Sequence, residues 1–185
     1  MKNTKEVEFE LEGVSPLKMD RWTDDTPNMK TQEEYKKAAI NKAYRDEKGY
    51  LAIPSTAIKA AMRLASSEIG KKMEAKKNRQ SISAGVFFNG EYITILDEKG
   101  KPKKDYDCIV GDVVARGQGT KLTRVVTYRP LVRQWKVKGK LSIIPLTLTV
   151  DSIRQSLENA GFRYGLLSHR PEFGRFVVNK FLEVK

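Results

Sequence analysis

The chain has little of the chemistry that most catalytic and metal-binding readings require. Among its 185 residues stand one cysteine, Cys108, and one histidine, His169. A single cysteine excludes an internal disulfide and fits a reducing compartment. One His and one Cys cannot supply a zinc site at the usual spacings. Neither GxxxxGK[ST] nor GxGxxG occurs, so nucleotide cradling by those loops has no support. No apolar run approaches the roughly 18 residues of a membrane span. The N-terminal Met-Lys-Asn-Thr-Lys-Glu-Val-Glu has no apolar region to act as a signal peptide. The expectation is a cytoplasmic protein with no membrane partner and no cofactor.

Acidic residues are also in short supply. Lys and Arg number 35 against 23 Asp and Glu, a formal net charge of +12. That balance points to nucleic acid, or less often to an anionic membrane surface, without identifying a fold. The excess is unevenly placed: residues 1–50 carry ten basic and eleven acidic side chains, so residues 51–185 carry all of it. The length suits one domain with elaborated insertions and is enough for a real core.

What is present reads as an α+β order. Val7, Phe9 and Leu11 alternate with Glu6, Glu8 and Glu10, the period of a strand with one buried face. Residues 17–30 read as a loop, with Asp24 and Asp25 adjacent in it. Paired aspartates can bind Mg²⁺ or act as a base, but a turn is the commoner role. Thr31-Gln-Glu-Glu34 matches a capping box and predicts a short surface helix over 32–44. Ile58, Ala61, Met62, Ala65 and Ile69 form one apolar stripe of a helix entered at Pro54 and stopped by Gly70. Lys59 and Arg63, four apart on another face, can meet one partner together, although a solvated face is the commoner case.

Residues 71–80 read as a basic linker or helical tail. Asn89-Gly90 between two apolar runs is a hairpin signal. Residues 96–123 read as a lysine-rich insertion or protruding hairpin. Residues 131–144 read as a strand whose exposed side is basic, with Arg133, Trp135 and Lys136 at its start. Trp135 can stack a base; a core position is the more usual fate of a strand tryptophan. A final helix capped by Thr149 or Asp151 ends at Gly161, and a last strand follows from about Arg175. Between them lies Tyr164-Gly-Leu-Leu-Ser-His-Arg-Pro-Glu-Phe-Gly174, with a histidine and an arginine between glycines. Glycine permits close backbone approach and arginine offers a fork of donors for phosphate. The run strand, helix, strands, helix, strand predicts a ferredoxin-like or RRM-like βαββαβ antiparallel sheet with two helices on one face and a protruding insertion.

Two stretches together resemble the RAMP superfamily. Ile53-Pro-Ser-Thr-Ala-Ile-Lys-Ala-Ala-Met-Arg63 looks like that superfamily's first-helix motif, and Gly165–Gly174 is similar to its glycine-rich loop. The loop departs from the pattern in having only two glycines, with Ser-His-Arg-Pro-Glu-Phe among the residues between, which suggests a divergent or phage-borne member. The resemblance implies a single RAMP-like domain over 1–185, with insertions at about 15–48 and, thumb-like, at about 96–123. It further implies a backbone-type subunit of a CRISPR effector that binds single-stranded RNA or DNA, with RNA favoured. Copies of itself in a filament, or other effector subunits, would be its protein partners.

Nine residues are the candidate contacts: Lys59, Arg63, Arg133, Trp135, Lys136, His169, Arg170, Gly174 and Arg175. No catalytic residue is assigned. Two alternatives stand beside this reading. One is a phage or mobile-element mimic that binds and disrupts a host CRISPR effector complex; the other is an RNA-processing endoribonuclease with His169 as its acid or base.

Overall fold

The computed structural model describes residues 4–23, 31–116 and 123–184. Asp24, Asp25 and the Gly117–Gly119 tip lie outside them. Among the described residues, two antiparallel sheets and four α-helices make an α+β architecture.

β1 (Lys5–Gly13) is the predicted alternating strand, and it sits inside the main sheet between β8 (Lys136–Ile143) and β9 (Phe176–Val184). Beyond β8 come β5 (Tyr92–Leu96) and β3 (Ala52–Pro54). Val7, Phe9 and Leu11 are almost wholly buried, as are Val137, Leu141 and Ile143 of β8. Two helices cover this face: α2 (Ser55–Ala65) through Ile58, Ala61, Met62 and Ala65, and α4 (Val150–Asn159) through Ile153 and Leu157. Each buried Leu or Ile contributes roughly 1.5–3 kcal/mol. Where the helices meet, the Ser156 hydroxyl donates to the Met62 carbonyl at 2.7 Å, which satisfies a fully buried polar group.

The second sheet runs β2 (Leu17–Lys18), β7 (Thr123–Val132), β6 (Cys108–Arg116). β6 and β7 form a long hairpin, paired from Cys108–Leu131 out to Arg116–Thr123. α1 (Gln32–Ala38) carries the expected capping box at Thr31 and Glu34, continues as a tighter turn to Lys42, and packs on β7. Cys108 is a free, half-buried strand residue. No helix among the described residues is long and apolar enough to cross a membrane.

Four local expectations differ from the structure. Residues 131–144 are not one strand: β7 ends at Val132, and the chain turns through Arg133–Trp135 into β8, passing from the second sheet to the main one. Asn89-Gly90 does not turn a hairpin. β4 (Val86–Phe88) and β5 both run antiparallel to β8, Val86 opposite Ile143 and Leu96 opposite Lys136, so the dipeptide sits in a bulge within one edge. The basic stretch after Gly70, read as a linker or helical tail, enters a helix, α3 (Ala75–Gly85), that runs past residue 80 to the start of β4. Its hydrophobic face is thin; buried Asn78 and Ser81 replace apolar anchors, Asn78 donating to the Ile69 carbonyl at 2.7 Å and Ser81 bonding Thr147.

The last helix does not stop at Gly161. It widens over Ala160–Tyr164 and ends at Gly165, whose φ of 68° lies in the left-handed region. Gly161 has another task. A Cβ there would fall on the Phe176 carbonyl, so the glycine lets the helix end lie against β9.

Candidate nucleic-acid interface

The outer flank of α2 faces the loop that follows α4. Ala57, Ala60 and Leu64 form one wall, small enough at the first two positions to leave a trough. Leu167, Ser168, His169, Arg170 and Pro171 form the other. Asp20 and Tyr44 close one end; Arg163 and Tyr164 close the opposite end. The groove comprises two hollows of about 380 and 530 Å³ that share Leu167, Ser168 and Arg170.

The loop is held rather than free. Leu166 N–H donates to the Gly174 carbonyl at 3.0 Å, and Phe173 N–H to that of His169 at 3.1 Å. Its outer side is stitched to the segment after β1: Gly174 N–H reaches the Pro16 carbonyl at 2.8 Å, and Ser168 N–H the Lys18 carbonyl at 3.1 Å. Leu167 and His169 both hold positive φ, 61° and 58°, which non-glycine residues adopt only where their surroundings impose it. Gly174 is buried at φ 75°, and a Cβ on it would collide with the Leu166 backbone. The glycine therefore closes the loop on itself and leaves no open backbone for a ligand.

Beneath the loop lies a partly buried charge network. The Lys18 ammonium, 4% exposed, bonds Asp112 of β6 at 2.9 Å and stands 3.9 Å above the Phe173 ring. Arg129 of β7 bridges Asp20 at 2.8 Å and Asp112 at 3.3 Å, and Lys42 reaches Asp20 at 3.3 Å. Burial alone would raise the Asp112 pKa, but the Lys18 bond and the charges of Lys18, His169 and Arg129 bring it below its ordinary value. His169 Nδ1 is 3.2 Å from the Ser168 hydroxyl and 4.0 Å from Asp112. At the groove's end the Tyr164 hydroxyl donates to Glu68 at 2.6 Å, beside an Arg163–Glu68 pair at 3.1 Å. That hydrogen bond raises the tyrosine pKa, while Arg163 and Arg79 of α3 oppose the rise.

The uncovered face of the main sheet is different. Antiparallel register sets Glu12, Glu10 and Glu8 opposite Lys136, Lys138 and Lys140, with ion pairs of 3.0, 3.0 and 3.1 Å. Lys180 adds a second bond to Glu8 at 2.8 Å. Exposed pairs of this kind are weak, yet they cancel the strand's positive charge where it arises.

The nine sequence candidates are therefore dispersed. His169 and Arg170 line the groove. Arg63 is exposed on α2, whereas Lys59 turns to the edge of the main sheet, 4.9 Å over the Phe87 ring, where burial lowers its pKa. Arg133 is exposed at the corner between the sheets. Lys136 is committed to Glu12. Trp135 is 2% exposed; its indole N–H donates to the Ser15 carbonyl at 3.0 Å and its ring meets Phe176 edge-on. A base has no free face of this ring to stack on. Arg175 lies over the exposed Phe162 ring at 5.3 Å and does not line the groove. The sequence reading missed Arg163, Tyr164, Ala57, Ala60 and Leu64. The helical spacing of the last three was the available signal, because they share the flank opposite Lys59.

This arrangement offers convergent arginines, an imidazole and a tyrosine above apolar walls. Such a groove can hold phosphodiesters while a base rests against the apolar side. No group of three or more metal-ligating side chains occurs among the described residues.

The α+β fold is similar to that of two proteins of known structure. One of these is the cryo-EM structure of the Type III-B Cmr-beta bound to cognate target RNA: 14% identity, TM-score 0.55, covering 98% of this chain and 61% of the other. The chain thus spans about three fifths of that neighbour's length. Another is the crystal structure of Cmr6 from Pyrococcus furiosus, with 11% identity and a TM-score of 0.50, covering 96% of this chain and 99% of that one. No family model matches the sequence, and no curated protein matches it.

Proposed function

We propose that this protein binds single-stranded RNA through its phosphates, as a backbone-type subunit of a CRISPR effector complex, in the groove between α2 and residues 164–175. The observation that carries this reading is the contrast in cation use. Arg170 faces a groove with apolar walls and has no ion pair among the described residues, with Arg163 beside it shared with Glu68, while the lysines of the open sheet face are matched to glutamates. The neighbour bound to cognate target RNA favours RNA over DNA, and its complex favours other effector subunits as protein partners.

The order β9–β1–β8–β4/β5, with α2 and α4 on one face, supports a ferredoxin-like core in which β3 is an added edge. The β6–β7 hairpin then takes the place of the protruding, thumb-like insertion. Assembly of copies along one strand is part of the same proposal.

The test is anisotropy binding of a labelled oligouridylate across a salt series. Neutralising phosphates releases counterions, so log affinity falls linearly with log salt, by about 0.7 per contact on a single strand. Arg170→Gln with Arg163→Gln lowers that slope by about 1.4. Binding that ignores salt, or no binding at low salt, overturns the reading. Footprints at a fixed repeat on a long strand mark assembly, and a single footprint argues against it.

A further inference from the structure

We infer that α3 is a second phosphate-binding element, a rail that carries the nucleic acid onward past the Tyr164 end of the groove. The proposal rests on the groove reading for the strand's path but concerns residues outside it. Between Lys71 and Gly85 the chain holds five basic side chains and one acid, Glu74. Glu74, whose carboxylate accepts the Lys71 N–H at 3.0 Å, offsets only one of the five cations. Lys72, Lys76, Lys77 and Arg79 are exposed and have no ion pair among the described residues.

The position of this charge fits the groove. α3 turns Asn78, Ser81, Ile82 and Gly85 inward against α2 and the 66–69 turn, so its basic side chains face away from the core. Tyr164 and Arg163 both bond Glu68 of the turn against which α3 packs, which sets the helix beside the groove's arginine end. Eleven residues of helix extend about 16 Å. The one exposed bulky apolar side chain of the stretch is Met73, ahead of the helix; the other exposed residues, Gln80, Ser83 and Ala84, are small or hydrogen-bonding. That surface suits a hydrated sugar–phosphate backbone and gives a protein partner little apolar area to bury.

The experiment uses the full chain with oligouridylates of about six and about thirty residues, the shorter matched to the groove alone. The variant is Lys72→Gln, Lys76→Gln and Lys77→Gln together; glutamine has nearly the helix propensity of lysine, and circular dichroism checks that α3 persists. Expected on the long strand is a salt slope lower by about 2 and an affinity loss of tenfold or more at low salt. The short strand binds the variant and the parent alike. Gln80→Lys is the converse variant, adding a charge to the rail and strengthening only long-strand binding. If both variants bind the long strand as the parent does, the rail is refuted. If the triple variant instead loses an acidic effector subunit while keeping long-strand binding, α3 is a protein surface and the proposal falls. If the parent fails on the short strand, the groove reading fails, and the long-strand comparison still decides α3.

Discussion

The two sides of the main sheet spend lysine and arginine in opposite ways. On the uncovered face Lys136, Lys138 and Lys140 meet glutamates of β1 one for one, and the surface carries charge without net potential. On the helix side Arg154 and Arg163 pair with Glu158 and Glu68, but Arg63, Arg170 and the cations of α3 have no such partners among the described residues. Charge that is balanced by its neighbour fastens strands; charge left over is available to a ligand. A sheet face that reads as an RNA platform in sequence is thus a strand clasp, and the helices carry the field.

The largest effect that tests this contrast comes from Trp135→Ala. A wholly buried tryptophan fastening β1, β8 and β9 costs about 3–5 kcal/mol when truncated. Chemical denaturation reads the loss, and the folded fraction keeps the parent's RNA affinity. A stable variant that binds RNA poorly would make Trp135 a stacking residue and reverse the assignment of the two faces.

Gly174→Ala comes next. Its Cβ meets the Leu166 backbone at a positive φ, which costs roughly 1–3 kcal/mol and loosens the loop. RNA affinity should fall with stability, and faster proteolysis within 164–175 would report the opened loop. Arg170→Gln sits below it: about a tenfold loss of affinity, with the unfolding midpoint unchanged.

Lys138→Gln should do least, shifting stability by less than about 0.5 kcal/mol and leaving the salt slope of RNA binding as it was. A drop in slope equal to that of Arg170→Gln would erase the distinction between the faces.

The sheet clasp also predicts a pH response. Hydrogen bonds from Lys180 and Lys140 hold Glu8 below its ordinary 4.5, and one from Lys136 does the same for Glu12. A lowered folded-state value stabilises above the unfolded value, so this contribution is complete above pH 4.5 and is lost as pH falls through the lowered values. Carboxyl NMR titration should find both glutamates below 4.5. Values at or above it would mean the pairs do not persist in solution.

Local patterns in the sequence located β1, α1, α2, α4 and β9, because each is encoded by neighbours: alternation at Val7–Leu11, a box at Thr31–Glu34, a stripe at Ile58–Ala65. Non-local facts stayed hidden. The lysines of β8 look free until register sets β1's glutamates opposite them, and register depends on strands more than a hundred residues apart. Asn89-Gly90 has a hairpin's composition, but β8 supplies an edge to which both flanking segments pair. α3 lacked an apolar stripe because Asn78 and Ser81 anchor it. In the candidate interface, the loop and helix motifs lie on the two sides of the groove, while Arg163, Tyr164 and the small residues of α2 that line it needed coordinates.

One residue joins the two halves of the molecule. Lys18 gives its carbonyl to Ser168 in the loop and its ammonium to Asp112 in the β6–β7 hairpin. Seen mechanically, it is a rivet at the fulcrum of a lever whose long arm is the hairpin and whose short arm is the groove wall. Through these two contacts a displacement of the hairpin would pull on the groove wall.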